Sequence, residues 1–245
     1  MDVIIFGGQS NMQGQTEGLP ENNESVQGAW EYRFLDDTLI PLKHPVGEDV
    51  KFEKWIAAAH MGGGSLVPDF CRAYIEATGR EVVAIHTAKG STTLAEWLHG
   101  TQHHYWAFKK QKKALEKISK TNTIDRIYYV WLQGESDAII ETAEEEYYNK
   151  LITYKNELKN ELGIDLFGII KVGYFTKNTI LDEGIMRAQE RAVETDSDFV
   201  MLSRICVELS KKPEYLNPNA RGHYNNEGMR LIGEDAGHKL ADLTK

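Results

Sequence analysis

The sequence predicts a three-layer α/β/α domain with a mostly parallel, five-stranded sheet, flavodoxin-like in its layering. Short runs rich in Val, Ile, Tyr and Phe alternate along the chain with amphipathic segments. This alternation is typical of a parallel sheet covered by helices on both faces. The 245 residues contain no Pro/Gly/Ser-rich linker and no internal repeat, so we expect a single domain over residues 1–245.

The strands are predicted where apolar residues run almost without interruption, because such strands are covered on both faces. The candidates are Asp2–Phe6, Glu81–Thr87, Arg126–Leu132, Phe167–Val172 and Phe199–Arg204. Residues 17–54 fit this scheme poorly. Within them, EYRFLDDTLIPL predicts a hairpin that turns at Asp36–Asp37. We therefore expect a hairpin insertion that walls the site.

The helices are predicted from apolar residues spaced three and four apart. The first such segment has Pro68 in its first turn and ends at Gly79, and the last begins at Asn225 or Asn226, either of which can cap it. The apolar faces consist of Leu66, Phe70, Ala73, Tyr74 and Ala77; of Tyr147, Leu151, Tyr154 and Leu158; and of Met229, Ile232, Ala236 and Leu240.

Charge and composition exclude several classes of partner. The net charge of −9 argues against nucleic acid and anionic membranes, and the lysines at 109–113 are interpreted as a solvated helix face. Cys71 and Cys206 lack a CxxC or Cys/His pattern, so neither a disulfide nor a zinc site is expected. With no apolar stretch of the required ~20 residues and no leader-like N-terminus, we expect a cytoplasmic protein.

Residues that can do chemistry follow the predicted strand ends, where ligands bind in parallel sheets. Ser10 follows the first strand after Gly7 and Gly8, as either a nucleophile or simply a helix N-cap. The other segments are QGESD at Gln133–Asp137, Lys89–Ser91 with Trp97 nearby, and the polar loop with His223. Together they offer a nucleophile, a base, an orienting acid and oxyanion donors.

Three of these segments carry a resemblance to a known family. GQSNM at Gly8–Met12, QGESD at Gln133–Asp137 and His223-Tyr224-Asn225 resemble the blocks of the SGNH hydrolase superfamily. More narrowly, they resemble its sialate O-acetylesterase / acetyl xylan esterase branch, carbohydrate esterase family 6. The resemblance extends from the first strand to the last helix, and the pair GQSNM with QGESD is its specific part.

The resemblance implies roles for individual residues. Ser10 would be the nucleophile and His223 the general base, with the backbone N–H groups of Ser10 and Gly90 and the side chain of Gln133 as the oxyanion hole. Asn11 would fix the nucleophile turn and belong to the substrate-binding residues. The family commonly has an aspartate three residues before the histidine, and here that position is Ala220.

Because position 220 is alanine, any triad acid has to come from elsewhere. Glu135 is the expected acid, since relatives use the glutamate of this block to orient the histidine. The alternatives are Asp137, a bare Ser–His dyad, or a purely helix-capping role for both acids. Trp97 either lines the sugar site or packs beneath its loop. His99, His103 and His104 are expected in a solvated or substrate-lining loop rather than at a metal.

The resemblance implies a carbohydrate O-acetylesterase that removes acetyl groups from sugar hydroxyls through an acyl-serine intermediate. No cofactor or metal is expected, because the nucleophile, base and oxyanion donors supply the chemistry. The expected partner is a small acetylated carbohydrate. The alternatives are a general short-acyl esterase, a sialate O-acetylesterase, and a catalytically silent carbohydrate-binding homologue.

Overall fold

The computed structural model describes residues 1–47 and 63–244. A seven-stranded sheet lies at its centre in the order β3-β2-β4-β1-β5-β6-β7. All neighbours are parallel except β2 and β3, which form an antiparallel hairpin. The strands are β1 (Asp2–Gly8), β2 (Ala29–Arg33), β3 (Thr38–Pro41), β4 (Val82–His86), β5 (Arg126–Leu132), β6 (Leu166–Ile170) and β7 (Phe199–Ser203).

The prediction of five strands was wrong because the hairpin joins the sheet. The turn at Asp36–Asp37 is present, but β2 pairs with β4, from Ala29 opposite Val82 to Glu31 opposite Ala84. The outer strand β3 has no buried residue, so its sequence lacks the apolar run used to identify the other strands. Residues 48–54 of the predicted insertion lie outside the described residues.

Helices occupy the connections between the strands, as predicted. The three long ones that follow β4, β5 and β6 are α3 (Gln102–Thr121), α5 (Glu144–Leu162) and α6 (Thr179–Thr195). The shorter elements are α1 (Ser10–Gln13), α4 (Glu135–Ile139), α7 (Cys206–Leu209) and two 3₁₀ turns, Leu94–Trp97 and Pro213–Tyr215. No helix in the described ranges is long and apolar enough to cross a membrane.

Helices α2 (Val67–Thr78) and α8 (Asn226–Thr244) pack against each other. Helix α2 has Pro68 in its first turn and ends at Gly79 in the left-handed region, both as predicted. The side chain of Asn225 accepts a hydrogen bond from the Gly228 N–H at 2.9 Å and so caps α8. A side chain at Gly233 would collide with the Leu66 carbonyl, so this glycine permits the close approach of the two helices.

The two faces of the sheet can be told apart by the aromatic residues of β5, since neighbouring residues of a strand point to opposite faces. Tyr128 contacts Tyr74 of α2, with a ring separation of 6.2 Å. On the other face, Trp131 contacts Tyr154 of α5 at 5.2 Å. The sheet is therefore covered by helices on both faces.

Candidate active site

Ser10 lies directly beyond the carboxyl end of β1, at the first position of the short helix α1. The turn before it needs glycine, because Gly8 has φ 138° and a side chain there would collide with the Leu132 carbonyl of β5. The Ser10 N–H belongs to the first turn of a helix and has no intrahelical acceptor. The serine is thus held at the strand end with a backbone donor beside its hydroxyl.

The structure brings Ser10 and His223 together although 213 residues separate them. His223 Nε2 lies 2.8 Å from Ser10 Oγ, and His223 Nδ1 lies 3.0 Å from the carbonyl oxygen of Arg221. A carbonyl can only accept, so the proton of the neutral ring is on Nδ1 and the lone pair of Nε2 faces the serine hydroxyl. This is the arrangement that a general base requires.

The environment of His223 favours the neutral ring. Burial lowers the pKa of His223 below its ordinary value of 6.5, and hydrogen bonds to the backbone of Arg221 and Ala220 oppose this shift only in part. Phe175 packs edge-on against the imidazole, with 5.5 Å between ring centroids. Phe175 also covers Gly222. Sequence reasoning missed Phe175, because it lies in a segment with no motif.

Glu135 does not contact His223, and this departs from the expected triad. Its Oε1 accepts a hydrogen bond from Asn11 Nδ2 at 2.7 Å, while Oε2 is buried and has no hydrogen-bond partner among the described residues. Burial raises the pKa of Glu135, and hydrogen bonds from Asn11 and from the backbone of Glu135 and Gly134 oppose this only in part. The acceptor at His223 Nδ1 is the Arg221 carbonyl instead.

Gln133 is not available as an oxyanion donor in this structure. Its fully buried amide nitrogen lies 2.6 Å from Asp137 Oδ2, 3.0 Å from the Thr92 carbonyl and 3.3 Å from Gln9 Oε1. Two amide hydrogens are therefore already shared among three acceptors. Asp137 also accepts a hydrogen bond from the Leu94 N–H at 2.8 Å. The alternative that Asp137 orients the histidine is thus not supported, since Asp137 secures the loop after β4.

Gly90 lies against the nucleophile, as expected for an oxyanion residue. A Cβ atom at Gly90 would lie 3.5 Å from Ser10 Cβ. Its N–H donates a hydrogen bond to Gln13 Oε1 at 2.9 Å. Sequence reasoning missed Gln13, which is buried and whose Nε2 has no hydrogen-bond partner in the described part of the chain. An oxyanion at Gly90 would have to replace the Gln13 oxygen.

Two residues expected at the substrate are buried instead. Trp97 is 0% exposed, and its Nε1 donates to Thr92 Oγ1 at 2.9 Å. Of its two predicted alternatives, packing beneath the loop is the observed one. Asn11 is 1% exposed and hydrogen-bonds to Glu135 and to the backbone around His223. Asn11 therefore holds the turn of His223 rather than the nucleophile turn, and its burial places it away from a sugar.

The histidine cluster agrees with the expectation only in part, because His99 is exposed in the loop whereas the other two histidines are not. His103 and His104 are buried in the first turn of α3, and Thr101 caps this helix by accepting a hydrogen bond from the His104 N–H at 3.1 Å. His103 packs against Trp97, with ring centroids 4.2 Å apart, and burial lowers its pKa to about 3. In the described ranges, no group of three His, Cys, Asp or Glu side chains is arranged to hold a metal ion.

The structure is an α/β fold with a serine–histidine pair at the carboxyl end of its sheet, which is the arrangement that a serine hydrolase requires. The family model described as "Carbohydrate esterase, sialic acid-specific acetylesterase" matches residues 1–241, and the chain belongs to this family. The protein is therefore an esterase, and membership supports acetylesterase activity on carbohydrates. A search of curated protein sequences gives no significant match.

Solved structures share this fold at low sequence identity. A protein of Arabidopsis thaliana is similar with a TM-score of 0.75 and 17% identity, over 98% of both chains. NanS is similar with a TM-score of 0.67 and 15% identity, over 99% of this chain and 97% of its own. XAC1771, a carbohydrate acetylesterase from Xanthomonas citri, has a TM-score of 0.57 and 14% identity, over 98% of this chain and 55% of its own.

Proposed function

We propose that this protein hydrolyses acetyl esters of carbohydrate hydroxyls through an acyl-serine intermediate on Ser10. The observation that carries the proposal is the 2.8 Å separation of His223 Nε2 and Ser10 Oγ at the carboxyl end of the sheet. Family membership indicates acetylated sugars as the substrate class of this pair. A nucleophile and a base within hydrogen-bond reach are the minimum that acyl transfer requires.

In the first half-reaction, Ser10 Oγ attacks the acetyl carbonyl while His223 Nε2 takes the hydroxyl proton. The tetrahedral intermediate collapses when the bond to the sugar oxygen breaks, and His223 gives its proton to that oxygen. The deacetylated sugar leaves, and the acetyl group remains on Ser10. In the second half-reaction, His223 deprotonates a water that attacks the acetyl-serine, and acetate leaves as Ser10 regains its proton.

A backbone carbonyl supports the base in this scheme. The Arg221 carbonyl accepts the Nδ1–H at 3.0 Å, so it holds the ring and its tautomer as an aspartate does in a triad. A carbonyl carries only a partial charge, and it therefore stabilises the imidazolium less than a carboxylate would. We infer that the protein works as a Ser10–His223 dyad and that Glu135 is not the triad acid.

Two backbone donors serve the developing oxyanion. The Ser10 N–H is free of an intrahelical acceptor, and the Gly90 N–H lies beside Ser10 and has Gln13 Oε1 as its acceptor among the described residues. A substrate carbonyl that displaces Gln13 Oε1 would meet both donors. Removing one oxyanion donor typically lowers turnover by about 10²–10³-fold.

The test compares hydrolysis of 4-nitrophenyl acetate, an acetylated xylo-oligosaccharide and an O-acetylated sialic acid by wild type, Ser10→Ala and His223→Ala. We expect acetate release by wild type, with higher kcat/KM on one of the sugars than on the aryl ester. We expect both variants to lose at least about 10⁴-fold in kcat. Mass spectrometry of acid-quenched reactions should detect an acetyl group on Ser10.

Each rival function gives a different result in the same assays. A general short-acyl esterase would hydrolyse the aryl ester at least as well as every sugar. A catalytically silent homologue would hydrolyse nothing while still binding a sugar in calorimetry. Activity that survives Ser10→Ala would refute the acyl-serine intermediate.

A further inference from the structure

Beneath the serine–histidine pair lies a buried hydrogen-bonded chain that the dyad itself does not use. It consists of Glu135, Asn11 and the turn 222–224 that carries His223. Glu135 and Asn11 are 3% and 1% exposed, and 124 residues separate them in the sequence. A buried carboxylate is destabilising unless it is paired, so this one requires a physical explanation.

Asn11 connects the acid to the backbone on both sides of the histidine. Its Nδ2 donates to Glu135 Oε1 at 2.7 Å and lies 3.5 Å from the Gly222 carbonyl, whereas its Oδ1 accepts from the Tyr224 N–H at 3.4 Å. The strongest of these contacts is the one with Glu135. Since the carboxylate accepts, it determines which end of the Asn11 amide points toward it and hence which end faces Tyr224.

We propose that Glu135 is a positioning residue that acts through Asn11: it sets the orientation of the Asn11 side-chain amide, which holds the turn carrying His223 against Ser10. This inference rests on the proposed function, because it assigns a role in the same reaction. It differs from a triad acid in that Glu135 reaches His223 only through a neighbour and the backbone.

Among the described residues, Asn11 is the one side chain that hydrogen-bonds to this carboxyl group, and this supports the assignment. Only Oε1 has a hydrogen-bond partner in the described part of the chain, and Oε2 is buried without one. A carboxyl group kept only for protein stability would be expected to use both oxygens. Burial and the neighbouring Asp182 raise the pKa of Glu135, so a neutral group with an acceptor at Oε1 can take its place.

Substitutions separate positioning from stability. Glu135→Gln keeps an acceptor for Asn11, and we expect kcat close to that of wild type. Glu135→Leu removes the acceptor, and we expect kcat to fall by about 10²-fold with KM unchanged, as for a misplaced catalytic group. Asp2→Asn is the matched control, because Asp2 is a buried, hydrogen-bonded carboxylate at the opposite end of β1. It should lower the melting temperature and leave kcat unchanged.

A double-mutant cycle tests the route through Asn11. If Glu135 acts only through this amide, Asn11→Ala combined with Glu135→Leu should lower kcat no further than Asn11→Ala alone. The proposal would be overturned if the kcat losses of the two single variants multiplied in the double variant. It would also be overturned if Glu135→Gln and Glu135→Leu lost kcat equally, because the site would then require the charge of Glu135 rather than its hydrogen-bond acceptor.

Crystal structures of the two Glu135 variants supply a readout that needs no activity. We expect His223 Nε2 and Ser10 Oγ within hydrogen-bond distance in Glu135→Gln and separated in Glu135→Leu. An undisturbed pair in Glu135→Leu would overturn the positioning role. A wild-type protein that releases no acetate from any ester would instead refute the proposed function, while the structures would still test the positioning role.

Discussion

Ala220→Asp should move the acid limb of the pH profile upward. The proposed reaction needs neutral His223, so we expect kcat/KM to rise with pH through the pKa of this residue, which burial holds below 6.5. A carboxylate that replaced the Arg221 carbonyl as the partner of Nδ1, 3.0 Å away, would favour the charged ring. The pKa of His223 would rise.

The size of the shift follows from the geometry. Opposite charges about 4 Å apart attract by about 1 kcal/mol in water and about 4 kcal/mol at an effective dielectric constant of 20. Ala220 lies in a half-buried turn, so the lower part of this range applies. We expect the acid limb to move up by about one pH unit, since 1.36 kcal/mol corresponds to one unit. At a pH below both limbs, kcat/KM relative to its plateau should therefore be about tenfold lower in Ala220→Asp than in wild type.

The assay is kcat/KM for 4-nitrophenyl acetate between pH 4 and pH 8 in buffers of constant ionic strength. Ala220→Asn is the control, because its side chain has the same size and no charge, and its limb should coincide with that of wild type. A limb that stays in place in Ala220→Asp, while a crystal structure shows the introduced carboxylate on Nδ1, would refute the electrostatic reasoning. A wild-type limb above 6.5 would refute the statement that burial dominates at His223.

Two further predictions concern the buried aromatic cluster next to the site. Trp97→Phe should lower the free energy of unfolding by about 1–3 kcal/mol in urea denaturation and leave KM for an acetylated sugar unchanged. A raised KM with an unchanged free energy of unfolding would indicate that Trp97 contacts the substrate. His103→Phe should make stability less sensitive to acid. The folded-state pKa of His103 is depressed to about 3, so its contribution is complete above 6.5 and is lost as the pH falls from 6.5 toward 3. Within that window, wild type should lose up to about 1.4 kcal/mol per pH unit more than the variant; parallel stability curves would contradict this.

The sequence was sufficient for the parts of the fold that depend on local pattern. Uninterrupted apolar runs identified β1, β4, β5, β6 and β7, and Pro68 and Gly79 marked the limits of α2. Because the carboxyl ends of parallel strands share one edge, the meeting of Ser10 and His223 was also predictable. The hairpin was predicted too, but its pairing with β4 depends on tertiary contact and was not.

The errors at the site have a common cause, which is that a motif does not reveal which neighbour takes each hydrogen bond. Gln133 lies in the expected segment, but Thr92 and Asp137 take its amide hydrogens. Glu135 follows the expected strand end, but Asn11 is closer to it than the imidazole is. The sequence also does not reveal that Trp97 is buried, since an aromatic residue after a loop is compatible with either a sugar site or a core.

The absence of an acid at position 220 and the presence of Glu135 can be understood together. The turn of His223 is closed by a hydrogen bond from the His223 N–H to the Ala220 carbonyl at 3.1 Å, and its Arg221 carbonyl meets Nδ1. The ring is thereby oriented by its own backbone, so what remains to be determined is where the turn lies relative to Ser10. Asn11 is adjacent to Ser10 in the chain and bonds the same turn. An acid that secures Asn11 therefore acts on the distance between base and nucleophile, whereas a triad acid acts mainly on the charge of the base.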